Sequence, residues 1–293
     1  MEHFPVSLVV SRGAYGLLAK KAPSTGVIFV HGFQGNPRAT WIDFQGLVEE
    51  IGNQRALWGE ADLFFYAYRS RDQIRPLAED FVKFLMSVAV TKEAGVVPRN
   101  YVLPSSENLT IGVPADISGL RGTKPYRNLI LVGHSTGGVI IREALRLIIT
   151  QTPEVELNAL VRNSNLRFFA PAHLGVLAAG KLGLAQSLPI LDRIFGAFLR
   201  SNPLYQNLGP SSPTILDLRK STEQLYSERK FPALKASSLF GQHEEIVVVG
   251  EYSHDDVTPT EPTHSHISIC KPTATYLKPL EFVANGFAIA KIA

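Results

Sequence analysis

Six residues, Gly133-His134-Ser135-Thr136-Gly137-Gly138, constrain this chain more than any other feature. They follow directly on an apolar run, Asn128-Leu-Ile-Leu-Val132. They precede Val139–Ile149, where Ile140, Ala144, Leu147 and Ile148 recur at helical spacing. A G-x-S-x-G pattern has chemical meaning only in such a strand–turn–helix setting. There the serine occupies a sharp, strained turn with its hydroxyl above a sheet. Side chains two residues to either side would collide, so glycine fills both places. Ser135 is the candidate nucleophile.

The rest of the chain supplies the sheet such a turn needs. Gly26–Val30, Asp62–Tyr68 and Leu166–Ala170 are short apolar runs ending in polar, Gly or Pro residues, and Leu234–Phe240 is a weaker fifth. Runs of this length read as strands buried on both faces of a parallel sheet. Leu77–Val90 places Leu77, Phe81, Phe84, Leu85 and Val88 on one helical face, with Pro76 suited to a first helical position. Alternating strands and helices predict an α/β fold, a mostly parallel doubly wound sheet in one domain over 1–293. Two stretches break the alternation. Lys92–Tyr126, rich in Pro, Gly and Ser, reads as a surface excursion. Leu174–Lys230, apolar and helix-prone, reads as a helical cap or lid inserted over the sheet's carboxyl edge.

Composition removes other classes. The 293 residues carry 29 Lys+Arg against 26 Asp+Glu, a net charge of +3, and 45% are hydrophobic, enough to bury a substantial core and to exclude disorder. No basic stripe interleaved with aromatics is present, so nucleic acid is not an expected partner. Cys270 is the single cysteine, which excludes an internal disulfide and a multi-Cys zinc site and suits a reducing compartment. Lys181, Gln186, Pro189, Asp192 and Arg193 interrupt the most apolar region, so no membrane span is expected. Met1–Ser11 lacks the features of a signal peptide. The expectation is a soluble, cytoplasmic protein whose core sequence is complete from its first residues.

A serine is a weak nucleophile until a neighbouring base takes its proton. Of eight histidines, His173, His243, His254, His264 and His266 follow Ser135. His264 and His266, in Thr263-His264-Ser265-His266-Ile267, are best placed after an acid loop, although two histidines so spaced could also be metal ligands. For the acid, Gly241-Gln242-His243-Glu244-Glu245-Ile246-Val247 competes with His254-Asp255-Asp256-Val257, and four carboxylates stay open. His31-Gly32-Phe33-Gln34-Gly35 ends the Gly26–Val30 strand. There the backbone amide of Phe33, with that of Thr136, could bind an oxyanion beside Ser135. The His31 side chain reads as a structural loop holder.

Assembled, these residues resemble the α/β-hydrolases, and more narrowly the lipase-like serine esterases grouped with GPI inositol-deacylase and the serine-active-site-containing protein. The resemblance runs from about Val27 to Phe282. It rests on His31-Gly32-Phe33-Gln34-Gly35 with Thr40-Trp41, on Phe65-Tyr66-Ala67-Tyr68-Arg69-Ser70, on the Ser135 segment, on Ala170-Pro171-Ala172-His173-Leu174-Gly175, and on His266-Ile267-Ser268-Ile269-Cys270-Lys271-Pro272. It implies His266 as base and favours Glu244 over Asp255 as acid. A Glu stands where most α/β-hydrolases carry Asp. The implied activity is hydrolysis of acyl or lipid-like carboxylic esters through an acyl-enzyme on Ser135, without metal or organic cofactor. The partner is a small-molecule or lipid ester, with membrane-surface contact through the cap. A thioesterase or amidase, or a non-catalytic binding module, is the alternative.

Overall fold

The computed structural model describes residues 3–8, 13–19, 23–48, 58, 61–90, 96–98, 126–151, 159, 161–177, 202–229, 231–256 and 260–290. Its strands are β1 (His3–Leu8), β2 (Tyr15–Ala19), β3 (Thr25–Val30), β4 (Ala61–Tyr66), β5 (Val96–Pro98), β6 (Asn128–His134), β7 (Ser164–Phe169), β8 (Ala236–His243) and β9 (Thr260–Ser265). They form one sheet in the order β5-β1-β2-β4-β3-β6-β7-β8-β9. From β4 to β9 every neighbouring pair is parallel, whereas β5, β1, β2 and β4 pair antiparallel in succession.

Among the described residues six α-helices frame the sheet: α1 (Pro37–Val48), α2 (Ile74–Leu85), α3 (Thr136–Gln151), α4 (Pro203–Asn207), α5 (Pro213–Arg229) and α6 (Lys278–Ala290). Successive side chains of a strand point to opposite faces, and β7 illustrates the division of labour. Phe169 meets Trp41 of α1 and Phe282 of α6 on one face, with ring centroids 6.2 and 5.2 Å away. Phe168 lies on the other face beneath Arg142 of α3. α2 packs beside α3 there, with Phe81 and Phe84 against Tyr66 of β4. Sheet, α2 and α5 surround α3, so its residues 136–145 are all buried, including Arg142 and Glu143.

The parallel strands β3, β4, β6, β7 and β8 match the apolar runs to within a few residues. β4 stops at Tyr66 rather than Tyr68, and the weak fifth run becomes β8, shifted to 236–243. Four strands were not legible as runs. β1 alternates His3, Pro5 and Ser7 with its apolar residues, and β2, of five residues, is secured by stacking of Tyr15 on Phe65 across the β2–β4 register, a partner 50 residues on. β5 lies inside the expected Lys92–Tyr126 excursion and pairs with β1. β9, Thr-Glu-Pro-Thr-His-Ser, is mostly exposed and has no apolar pattern to read. Tyr126, at the excursion's far end, is buried and bonds Asp62. Most of that excursion, and all nine apolar residues expected to form the lid (Leu182, Leu184, Leu188, Ile190, Leu191, Ile194, Phe195, Phe198 and Leu199), lie outside the described residues.

Candidate active site

β6 ends at His134 and α3 begins at Thr136, so Ser135 takes the whole reversal, with φ = +55°. A non-glycine residue there is strained and needs holding. Its N–H donates to Phe169 O at 3.0 Å, and its carbonyl accepts from Gly138 N and Ala172 N, each at 3.1 Å. The flanking glycines answer to close approach. A Cβ on Gly133 would lie 2.6 Å from Gly138 N, and one on Gly137 would lie 2.3 Å from Val30 O. Strand β3 therefore touches the turn, and this contact brings the Gly32–Gly35 loop beside Ser135.

Ser135 opens into a cavity of about 290 Å³. Phe33 and Thr136, the two oxyanion candidates, line it, as do His266, Ile267, Cys270 and Lys271. Val176, Tyr205 and Leu208 supply an apolar wall from within the 174–230 stretch, joined by Ile246. Burial pushes the Cys270 thiol up to about 12, which keeps it protonated and a poor rival nucleophile.

His266 follows β9 and turns its Nδ1 to Glu244, 3.0 Å from each carboxylate oxygen. The side chains are only 6% and 1% exposed, so the pair is shielded from water. Glu244 is itself fixed, because its Oε1 accepts from the backbone N–H groups of Ile246 and Val247 at 2.9 and 3.0 Å. A carboxylate at Nδ1 selects the tautomer with the proton on that nitrogen and leaves Nε2 as the basic atom.

Asp255, the rival acid, sits elsewhere. It forms a fully buried ion pair with Arg142 Nη2 and accepts from Ala236 N and Tyr252 N at 2.9 and 3.1 Å. Burial opposes its ionisation, but the Arg142 guanidinium outweighs this and holds the carboxyl below the usual carboxylate range. Asp256 pairs with Lys235 at 2.6 Å, and Glu245 is exposed. His264 stacks on Tyr276 at 3.6 Å. His31 is fully buried, donates Nδ1–H to Gly32 O at 2.8 Å and stacks on Tyr68 at 4.2 Å, the loop-holding arrangement expected of it.

His134 makes a contact that its place in the sequence does not disclose. Its Nε2–H donates to the carbonyl of His266 at 2.8 Å, so the residue before the serine grips the backbone of the histidine 132 positions later. Burial, reinforced by the nearby His266, lowers His134 to about 3, which keeps it neutral and unavailable as the base. Its place in the turn was plain from the sequence. Its partner was not, because that contact exists only once β9 has docked.

Solved structures offer comparisons for the whole arrangement. The chain is similar to the lipase BlEst2 of Bacillus licheniformis in its mature form, at 17% identity over 90% of this chain and 92% of that one, with a TM-score of 0.52. It is similar to the phospholipase PlaB of Legionella pneumophila in complex with thio-NAD, at 15% identity over 92% of this chain and 61% of that one, TM-score 0.54. It is also similar to the peroxisomal alpha-beta-hydrolase Lpx1 of Saccharomyces cerevisiae, at 10% identity over 96% and 82% of the two chains, TM-score 0.51. No protein-family model matches the sequence, and no curated protein matches it. At these identities the likeness is one of architecture: the chain has the α/β-hydrolase fold.

Proposed function

We propose that the protein is a serine hydrolase of carboxylic esters that works through an acyl-enzyme on Ser135. One observation carries this reading: a histidine locked to a buried carboxylate through Nδ1 shares a small, largely apolar cavity with a serine held at positive φ. In this mechanism His266 Nε2 takes the Ser135 proton as the hydroxyl attacks the ester carbonyl. It then returns the proton to the departing alcohol, and water repeats the sequence in reverse on the acyl-enzyme. Glu244 keeps the ring oriented and favours the imidazolium formed on the way. The Phe33 and Thr136 amides meet the negative oxygen of the tetrahedral intermediate, and each such donor is worth about 2.7–4 kcal/mol.

The substrate preference follows the wall formed by Val176, Tyr205, Leu208 and Ile246, which suits an acyl chain. We assign the 174–230 stretch the role of a cap because Tyr205 and Leu208 reach the cavity from it. Kinship with the GPI inositol-deacylase branch rests on the sequence motifs alone. The test is a panel of p-nitrophenyl esters of rising acyl length with wild type and Ser135→Ala. Turnover that falls by several orders of magnitude in a folded Ser135→Ala variant supports the reading. A variant keeping more than about a tenth of wild-type activity contradicts it.

A further inference from the structure

Beside the candidate active site lies a second cavity, of about 680 Å³, lined by Gln34, Gly35, Tyr68, Arg69, Ser70 and Arg71. It shares Gln34 and Gly35 with the cavity of Ser135, so the two adjoin across the oxyanion loop. The turn that carries its two arginines is fixed to that loop. Ser70 Oγ accepts from Gln34 N at 2.8 Å, Ser70 O accepts from Asn202 Nδ2 at 2.7 Å, and Arg71 N donates to Arg69 O at 2.8 Å. Gln34 has φ = +54°, so the bond from Ser70 also holds a strained residue one step beyond Phe33.

Both charged residues that line this cavity are arginines, and exposed Asp72 follows Arg71 outside the lining. No described carboxylate pairs with Arg69 or Arg71. Neither cavity has an acidic lining residue, and Lys271 adds a third cation on the wall of the catalytic one. Surface arginines are ordinarily solvated. Two of them on one hydrogen-bonded turn, lining a concavity that shares Gln34 and Gly35 with the Ser135 cavity, form a site for an anion that a planar guanidinium fork can grip.

We propose that Arg69 and Arg71 bind an anionic group, phosphate or carboxylate, carried by the substrate ester itself. The inference rests on the ester-hydrolase reading above and adds a substrate class to it: esters bearing a negative charge a few bonds from the scissile carbonyl. The turn fixes the distance between anion site and nucleophile, so anion binding positions the ester for attack by Ser135.

The test compares kcat/KM within matched pairs: 1-butyrylglycerol 3-phosphate against 1-butyrylglycerol, and monomethyl glutarate against methyl valerate. The wild type should favour the charged member of at least one pair by about tenfold or more, a preference of ~1.4 kcal/mol. The R69Q/R71Q variant should bring that ratio to near unity, as should high salt. Because each ratio is internal to one protein, general damage from the substitutions cancels. The pair that responds distinguishes phosphate from carboxylate. Ratios near unity in the wild type, or unchanged in R69Q/R71Q, overturn the proposal. If no ester is turned over, the hydrolase reading fails separately, and calorimetry with 1-butyrylglycerol 3-phosphate on Ser135→Ala decides the anion site. Binding that R69Q/R71Q abolishes supports it, and absence of binding overturns it.

Discussion

At the scale of single residues, two carboxylates with similar sequence credentials occupy opposite roles. Glu244 bonds His266, whereas Asp255 neutralises Arg142 inside the core. Glu244→Gln keeps the side-chain shape but cannot hold the imidazolium or enforce the tautomer. It should lower kcat by about 10³–10⁴-fold with the melting temperature little changed. Asp255→Asn should do the reverse. It leaves Arg142 charged and buried without its anion, a loss of about 3–5 kcal/mol, while the folded fraction keeps its kcat. Steady-state kinetics and urea melts on both variants check the pair, and an inactive but stable Asp255→Asn protein would exchange the roles. Ser135 was legible because its neighbours in sequence are its neighbours in the turn, whereas position in the chain left His264 and His266 both open and only the family resemblance favoured His266. The acid was not legible on pattern alone, since what sets Asp255 apart is Arg142, 113 residues away.

At the scale of elements, the site depends on strands that converge from distant parts of the chain. In the proposed mechanism β3 leads to the loop with the oxyanion candidate Phe33, β6 to the candidate nucleophile Ser135, β8 to the candidate acid Glu244 and β9 to the candidate base His266. The central parallel strands β3, β4 and β6 could be read because both their faces are buried and each carries an apolar run of at least three residues, with polar residues chiefly toward its ends. β9 could not, because its exposed residues leave only its pairing with β8 to define it, with a register shift at Gly241–His243 just before Glu244. That shift leaves no room at Gly241, where a Cβ would lie 2.1 Å from His264 O. Gly241→Ala should therefore displace β9 and with it His266, lowering kcat by more than about tenfold. The far-UV spectrum should stay close to wild type. Unaltered kcat would show that β9 docks independently of this contact. His134 ties the same region from the other side through the His266 carbonyl, and Glu244 holds the ring itself through Nδ1.

At the scale of the whole molecule, three buried histidines couple stability to pH. Burial lowers His31 to about 4 and, with nearby positive groups, His134 and His173 to about 3, each from an ordinary 6.5. Below pH 6.5 the unfolded chain takes up protons at these positions and the folded chain does not. Stability is therefore full above that pH and falls as pH drops toward 4, by up to about 1.4 kcal/mol per unit for each histidine. Burial lowers His254 as well, so urea midpoints measured between pH 7.5 and 4.5 should fall at least this steeply, and His173→Asn should flatten the slope in part. A pH-independent midpoint would refute the burial of these rings. If this fold presents one activated serine, brief exposure to a fluorophosphonate should add one adduct to the intact mass of the chain. That adduct should map to Ser135 by peptide analysis, form about 10³-fold or more slowly in Glu244→Gln and be absent from Ser135→Ala. An unlabelled wild type, or an adduct on another residue that persists in Ser135→Ala, would contradict it.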